Sequence, residues 1–409
     1  MDSLSQIVLG ASMGELVLGK KIGNRAMFWG AIGGTLPDLD VISSLWLSEI
    51  DGLASHRGIT HSLFILPIAA LPMAYLTKKW YDSDIPNHKN FRWISGIWAI
   101  IAVLGFSAMS AVLGNALFGP KSLWITGPLV LFGLYHYVSR IYKNYIISGP
   151  TEIRASFKDW YLLAFLSLVT HPILDCFTTY GTQIFQPFSD YRVGFNNIAV
   201  ADPLWTLPFL SFLIAAAYFK PGDERRGFYN KLGIIVSSLY MLWTLANKHI
   251  VEQIVKQNIQ EKKLIVERFT TSPTILNNIL WTATLESDTV FYQGSYGLLD
   301  RSKDIQFDVI PKKHYLLQGH EEDYSIQILK WFSNDYFSML IRQDGKLQYN
   351  DLRFGSFSDG PKTEDDYVFR FPLILQNNEL VLGETQRGPS KEKQNTMASD
   401  LWKRILGNK

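Results

Sequence analysis

The sequence predicts a mainly α protein: a multi-helix transmembrane bundle of about eight apolar helices, some short, followed by a β-rich soluble C-terminal domain. Three observations predict it. Hydrophobic residues make up 47% and aromatics 14% of 409 residues, yet mean hydropathy is only +0.04, the average of an apolar part joined to a polar one. Apolar stretches recur up to residue 246, divided by connections rich in Lys and Arg. Beyond residue 270, β-branched and aromatic runs alternate with turn residues. The expected domains are 1–250, membrane-embedded; 251–270, a linker helix; 271–390, β-rich; and 391–409, a polar tail.

Taken in order, Leu4 to Leu18 is apolar and rich in small residues, which suits close helix packing, and Glu15 interrupts its apolar face. Ala26 to Leu36 follows and ends at Pro37. Both are shorter than the ~20 residues that cross a bilayer. Leu63 to Leu76, Trp93 to Leu113, Leu123 to Val138, Trp160 to Leu174, Pro203 to Phe219 and Leu232 to Ala246 complete the set. Basic residues gather at 20–25, 78–92, 140–158 and 220–231, and the positive-inside rule puts all four connections in the cytoplasm. The N-terminus, 37–61 and 176–202 then share the other side, and the C-terminal domain is expected to be non-cytoplasmic. Asn247 to Arg268 reads as a helix leaving the bundle. Ile279 to Leu285, Thr289 to Tyr292 and Tyr367 to Phe371 read as strands, Asp344-Gly345 as a hairpin turn, and Met397 to Leu406 as a short helix.

Composition also excludes. A net charge of +2 offers no bulk electrostatic case for nucleic acid. The single Cys176 rules out an internal disulfide and a cysteine zinc finger. Met1 to Gly10 has an acid where a signal peptide has a basic region, so no cleavable signal peptide is expected. The chain has no phosphate-cradling glycine loop with a Lys, no nucleophile elbow and no Cys–His nucleophile.

What stands out is polar chemistry at the edge of apolar segments, where ionisable residues are expensive and mark function. Pro37-Asp38-Leu39-Asp40 projects two acids where the backbone leaves a helix, either as ligands or as a solvated turn with Asp40 as a cap. His56-Arg57-Gly58-Ile59-Thr60-His61-Ser62 carries two imidazoles, as metal ligands or as an interfacial pair. Arg57 cannot ligate, but its fork suits an anionic oxygen. His171 and Asp175, at i and i+4, share a helix face and either reach one metal or hydrogen-bond each other. Gln6 is placed to position water or a ligand; Tyr180 and Gln183 lie in a polar loop that shapes a pocket; Glu15 and Asp202 are candidates for base or support, Asp202 otherwise as a helix cap.

These motifs resemble the YdjM-like inner-membrane proteins. The resemblance rests on Asp2-Ser3-Leu4-Ser5-Gln6, Gly34-Thr35-Leu36-Pro37-Asp38-Leu39-Asp40, the His56 to Ser62 run and His171 to Asp175. Phe177 to Gln183 and Asp202-Pro203-Leu204 match its longer branch. The resemblance implies a bacterial inner-membrane protein associated with metal-dependent hydrolysis, and in part with LexA binding. Some members have His where this chain has Gln6. The expectation drawn is a metal-dependent hydrolase of a phosphoester or lipid-linked bond. Asp38, Asp40, His56, His61, His171 and Asp175 would hold one or two ions of zinc, or of manganese or iron. Membrane lipids are the expected partners, with a protein partner on the C-terminal domain. The rivals are a non-catalytic membrane scaffold with a structural polar cluster, and a transporter coupling to ions.

Overall fold

A computed structural model describes residues 1–97, 153–356, 363–383 and 399–407, with scattered positions between 100 and 143. Asp2 caps α1, Ser3–Ile22, by accepting the Ser5 N–H. Gly23 ends it, and α2, Asn24–Thr35, folds straight back. The two cross closely because their facing positions are glycines: a Cβ on Gly14 or Gly30 would run into the carbonyl of Ala26 or Gly10.

Pro37 then removes an N–H that an α-helix needs, and the chain tightens into a 3₁₀ helix, Leu36–Leu45. Runs this long are uncommon, because 3₁₀ hydrogen bonds are poor, and they recur at functional sites. At three residues per turn, Leu36, Leu39, Ile42 and Leu45 stack into one ridge, and all four are exposed. Ser48 caps the short α3, Glu49–Ser55, and a 3₁₀ turn at Ile59–His61 precedes α4, Leu66–Asp82.

Helix α5, Phe157–Asp175, returns with His171 and Asp175 at its end. Loop 176–202 closes on itself through a bridge between Thr182 and Val193. Asp202 caps α6, Pro203–Tyr218. Helix α7, Glu224–Glu261, runs 38 residues unbroken, so the expected last membrane segment and the helix leaving the bundle are one element. Its buried side is a polar seam. Arg226 pairs with Glu15, Asn230 bonds Ser12, Thr244 bonds Asn197 and Asn247 bonds Asn278.

Two four-stranded antiparallel sheets follow. Sheet one is β1 Arg268–Pro273, β2 Leu280–Glu286, β3 Val290–Gly297 and β4 Asp308–Pro311, in that order. Val251, Ile254 and Val255 of α7 bury against its Trp281, Leu285 and Tyr296. Helix α8, Tyr324–Ser333, leads to sheet two: β5 Phe337–Ile341, β6 Leu347–Ser356, β7 Tyr367–Gln376 and β8 Glu379–Leu382. Ile341 pairs with Leu347 across the Asp344-Gly345 turn. Hydroxyls of Thr284 and Ser272 donate to carbonyls of Leu352 and Arg353, tying the sheets together. Residues 399–405 are helical. The chain divides into two units, Met1–Leu71 with Leu162–Lys409, and Pro72–Tyr161; in the second, Tyr81 stacks on Trp160.

The expected eight-span bundle is corrected. Among the described residues one helix, Glu224–Glu261, is long and apolar enough to cross a membrane. A second candidate appears only if Glu49–His61 and Leu66–Asp82, bent by 70°, count as one broken span. Most of the segments expected at 93–113 and 123–138 lie outside the described residues. The others fall short for visible reasons. Helix α1 carries Glu15, Lys20 and Lys21 in its 20 residues, α2 has 12 residues and α6 has 16. Charges that read as loops lie inside helices: Lys20 and Lys21 fill the last turn of α1, and Arg226 is buried in α7. Parity between the basic connections therefore has no eight spans to rest on.

Candidate metal centre

Three turns of chain end at one point. The 3₁₀ helix delivers Asp38, the turn at Ile59–His61 delivers His61, and the last turn of α5 delivers His171 and Asp175. His61, His171 and Asp175 are fully buried, and Asp38 forms the partly exposed rim. Their ligand atoms all lie within 4.8 Å of one another.

The spacing is that of a coordination shell. His61 Nε2 is 3.1 Å from His171 Nε2. Asp38 Oδ1 is 3.5 Å from His61 Nε2 and 3.3 Å from His171 Nε2. Asp175 Oδ2 is 3.4 Å from each imidazole. Four donors at the ~2.0–2.2 Å of metal–nitrogen and metal–oxygen bonds, arranged as a tetrahedron, stand ~3.4 Å apart.

Hydrogen bonds outside the four fix which atoms face inward. The Gly34 carbonyl only accepts, so His171 Nδ1 donates to it, at 2.6 Å. The Thr60 hydroxyl donates to Asp40 Oδ2 and accepts from His61 Nδ1 at 3.0 Å. Both neutral imidazoles therefore turn a bare Nε2 to the centre. Asp175 Oδ2 is buried there without a hydrogen bond, while Oδ1 accepts from Gln6 Nε2, at 2.9 Å, and from the Met1 amino group. Lone pairs this close repel unless a cation sits among them, so the residues fit a divalent ion.

A proton is the competitor. Burial works against charge on His171, but hydrogen bonds and charge from Asp175 and Asp38 outweigh it and raise the imidazole to about 9. Burial likewise opposes ionisation of Asp175, and the Arg57 guanidinium overrides it and holds the carboxyl well below the usual range. Asp38 is also held low: burial opposes this, and bonds to His171 and His61 prevail. Burial pushes the neighbouring Cys176 thiol up to about 12, which leaves it inert as a nucleophile.

The family profile of the YdjM inner membrane proteins matches residues 1–251, the stretch that contains every residue of this centre. The chain belongs to the YdjM inner membrane protein family. It is 30% identical over 146 residues to the uncharacterized protein YfhP of Bacillus subtilis (strain 168). That match covers 34% of this chain and 41% of YfhP, so the chain spans less than half the length of its relative. No solved structure matches the chain.

Within this YdjM-family chain the remaining expected residues stand around these four or lie elsewhere. Asp40 faces outward from the four: Oδ1 pairs with His56 Nδ1 at 2.8 Å, and Oδ2 accepts from the Arg57 N–H and from Thr60. Its carboxylate, that of Asp38 and a ring nitrogen of His56 also lie within 4.8 Å of one another. Arg57 sits in the left-handed region at φ 58, a strained conformation for a residue with a side chain. That turn brings its Nε to 3.2 Å from Asp175 Oδ2, its Nη1 to Thr178 and its guanidinium over Tyr180. Gln183 braces the turn: its N–H donates to the Arg57 carbonyl and its side chain to Ala54.

Glu15 and Asp202 do not join the cluster. Glu15 is nine residues along α1 from Gln6, some 13 Å of helix, and its carboxylate is spent on Arg226. Asp202 caps α6 and accepts from the Tyr240 hydroxyl. Sequence reasoning missed Gly34, Thr60, Thr178 and Arg192. Gly34 contributes only a carbonyl, which carries no side-chain signal. Thr60 lay inside the His56 to Ser62 run, and its place beside His61 was the available hint.

Proposed function

We propose that this protein is a membrane-bound metal-dependent hydrolase acting on a phosphoester or other lipid-linked bond. The observation that carries it is the four-donor set of Asp38, His61, His171 and Asp175 at ligand spacing with both imidazole lone pairs turned inward. Two imidazoles and two carboxylates suit zinc, or manganese or iron. A bound divalent ion supplies Lewis acidity, acidifying water toward pKa ~7 and polarising the oxygen under attack.

The chain supplies the rest. Gly34 and Thr60 hold the imidazole tautomers, and Gln6 and Arg57 hold Asp175 ionised. Arg57 stands beside the centre with Nη1 on Thr178; among the described residues no hydrogen bond is made by its Nη2, which remains to receive an anionic oxygen. Asp38 lies at the open rim, on the same 3₁₀ helix as the exposed Leu36, Leu39, Ile42 and Leu45 ridge, with exposed Trp46 at its end. An apolar ridge ending in Trp favours a membrane surface, and that adjacency supports a substrate with a lipid part.

The test is metal content and turnover together. Protein purified in detergent and loaded with zinc or manganese should hold metal stoichiometrically and hydrolyse an aryl phosphate or phosphatidate in mixed micelles. His61→Ala or Asp175→Ala should lower metal content severalfold and turnover by at least ~10². Stoichiometric metal without hydrolysis of either ester would make the centre structural. Full metal retention in both variants would remove these residues from the ligand set.

A further inference from the structure

Resting on the hydrolase reading, we propose that Asp38, Asp40 and His56 hold a second divalent ion beside the first, with Asp38 shared between the two, and that this rim ion is the one open to water and substrate. Two carboxylate oxygens and a ring nitrogen of these residues lie within 4.8 Å of one another, a donor set that meets the first only at Asp38.

Coordination number separates the two places. Asp38, His61, His171 and Asp175 supply four donors, and four protein donors fill the tetrahedral shell of an ion such as zinc. An ion that activates water keeps a position free for it, typically beside three protein ligands. The rim set has three. Burial follows the same division. His61, His171 and Asp175 are fully buried, whereas the side chains of Asp38 and His56 are 22% and 24% exposed. Water and a phosphoester oxygen therefore have access at the rim.

The fold aims the three donors. Asp40 Oδ2 is held by the Arg57 N–H at 2.9 Å and the Thr60 hydroxyl at 3.0 Å, which leaves Oδ1 facing His56 Nδ1 at 2.8 Å. Donors at right angles on bonds of ~2.0–2.2 Å stand ~3 Å apart, so the pair has the spacing of neighbouring ligands on one ion. A plain hydrogen bond accounts for that pair, but not for a second carboxylate brought within ligand spacing of both. His56 ends α3 with extended backbone, and the left-handed Arg57 that follows turns its guanidinium to Asp175 and Thr178 while its N–H stays on Asp40. Tyr180 packs edge-on to the His56 ring at 5.3 Å. Asp38 Oδ1 stands 3.5 and 3.3 Å from the imidazoles of the first set. A carboxylate has two oxygens and can serve two ions, which two-metal sites hold ~3.5–4 Å apart. The carboxylate-rich rim set suits manganese, and the two-imidazole set suits zinc.

The full chain, purified in detergent and stripped of metal, is titrated with manganese and read by atomic absorption and electron paramagnetic resonance. Two ions per chain should bind, and the second should couple magnetically to the first. Hydrolysis of phenyl phosphate should follow the second equivalent. His56→Ala should hold one uncoupled ion, with turnover lower by about tenfold or more. If His56→Ala holds none, His56→Glu decides, because a carboxylate can ligate but cannot donate to Asp40: two coupled ions support the inference, and fewer overturn it. One ion at saturation in the wild type, two in His56→Ala, or turnover complete at the first equivalent each overturn it and leave the hydrolase reading intact. Two coupled ions without hydrolysis of phenyl phosphate or phosphatidate would overturn the hydrolase reading and leave the second ion in place.

Discussion

A histidine binds metal only if its other nitrogen is made to hold the proton, and here small neighbours do that. Thr60 is the clearest case, because its hydroxyl links His61 Nδ1 to Asp40 Oδ2. Thr60→Val keeps the shape and removes the link, so His61 loses the bond that turns its Nε2 inward. Metal affinity should fall ~10–100-fold, measured by competition with a chromophoric chelator, with little change in thermal stability. An unchanged affinity would mean that packing alone orients His61. The members of the four-donor cluster were legible: His171 and Asp175 sit at i and i+4, and Asp38 and His61 lie in compact polar runs between apolar segments. The layer around them was not, because a carbonyl such as that of Gly34 and a hydroxyl such as that of Thr60 take their meaning from partners distant in sequence. Asp40 shows the same limit. As an acid beside Asp38 it reads as a ligand, and it does stand at ligand spacing with Asp38 and His56, but its three hydrogen-bond partners leave no mark in the sequence.

At the scale of elements, the α1–α2 crossing sets where Gly34 presents its carbonyl. Gly30→Ala would push a methyl into the Gly10 carbonyl and force the helices apart. Metal retention should fall even though Gly30 touches no ligand, and Gly227→Ala, where a Cβ meets nothing within 4 Å, should retain metal fully. Equal metal content in the two variants would uncouple the crossing from the centre. A different rule governs sheet one, where Glu286 of β2 pairs with Arg268 and with Lys312 at 2.7 Å. Burial opposes its ionisation, but Lys312 and Arg268 prevail and hold the carboxyl below its ordinary value. Stability from a lowered carboxyl is present above its unfolded pKa, ~4.3, and is lost as pH falls through the folded value. Glu286→Gln should therefore cost about 1 kcal/mol at pH 7 and little near pH 3, read from denaturant unfolding of the C-terminal part. A cost that stays constant with pH would assign the loss to packing. Strands were readable because alternation and the Asp344-Gly345 turn are local signals. Spans were not, because a charge such as Arg226 looks like a loop until its partner Glu15, more than 200 residues away, is seen beside it.

Across the whole molecule, the C-terminal part meets the helical part along α7, α3 and loop 176–202, and one of these contacts is the wall of the centre. Sheet one rests on the end of α7, while α8 of sheet two packs against α3 and loop 176–202. Phe332 of α8 is fully buried and meets the Tyr180 ring at 5.0 Å, and Tyr180 in turn meets His56 and lies under Arg57. Arg192 locks the junction, its guanidinium within 4.7 to 4.9 Å of the Tyr180, Trp331 and Phe332 rings and its Nη2 donating to the Tyr180 carbonyl at 2.6 Å. A sequence pattern does not announce this contact, because its members lie at 56, 180, 192 and 332: His56 and Tyr180 read as site residues, but nothing local ties Arg192 or Phe332 to them. The contact makes the C-terminal part a support for the very turn that positions His56 and Arg57. Phe332→Leu keeps an apolar side chain in the core but removes the aromatic pair with Tyr180 and the face under Arg192, losses of ~0.5–1.5 kcal/mol each. Hydrogen exchange should then quicken in 49–61 and 176–192 as well as in α8, while the seam of α7 between Arg226 and Thr244 stays protected. If exchange quickens only in α8 and sheet two, the wall is passive and the C-terminal part does not hold the centre in place.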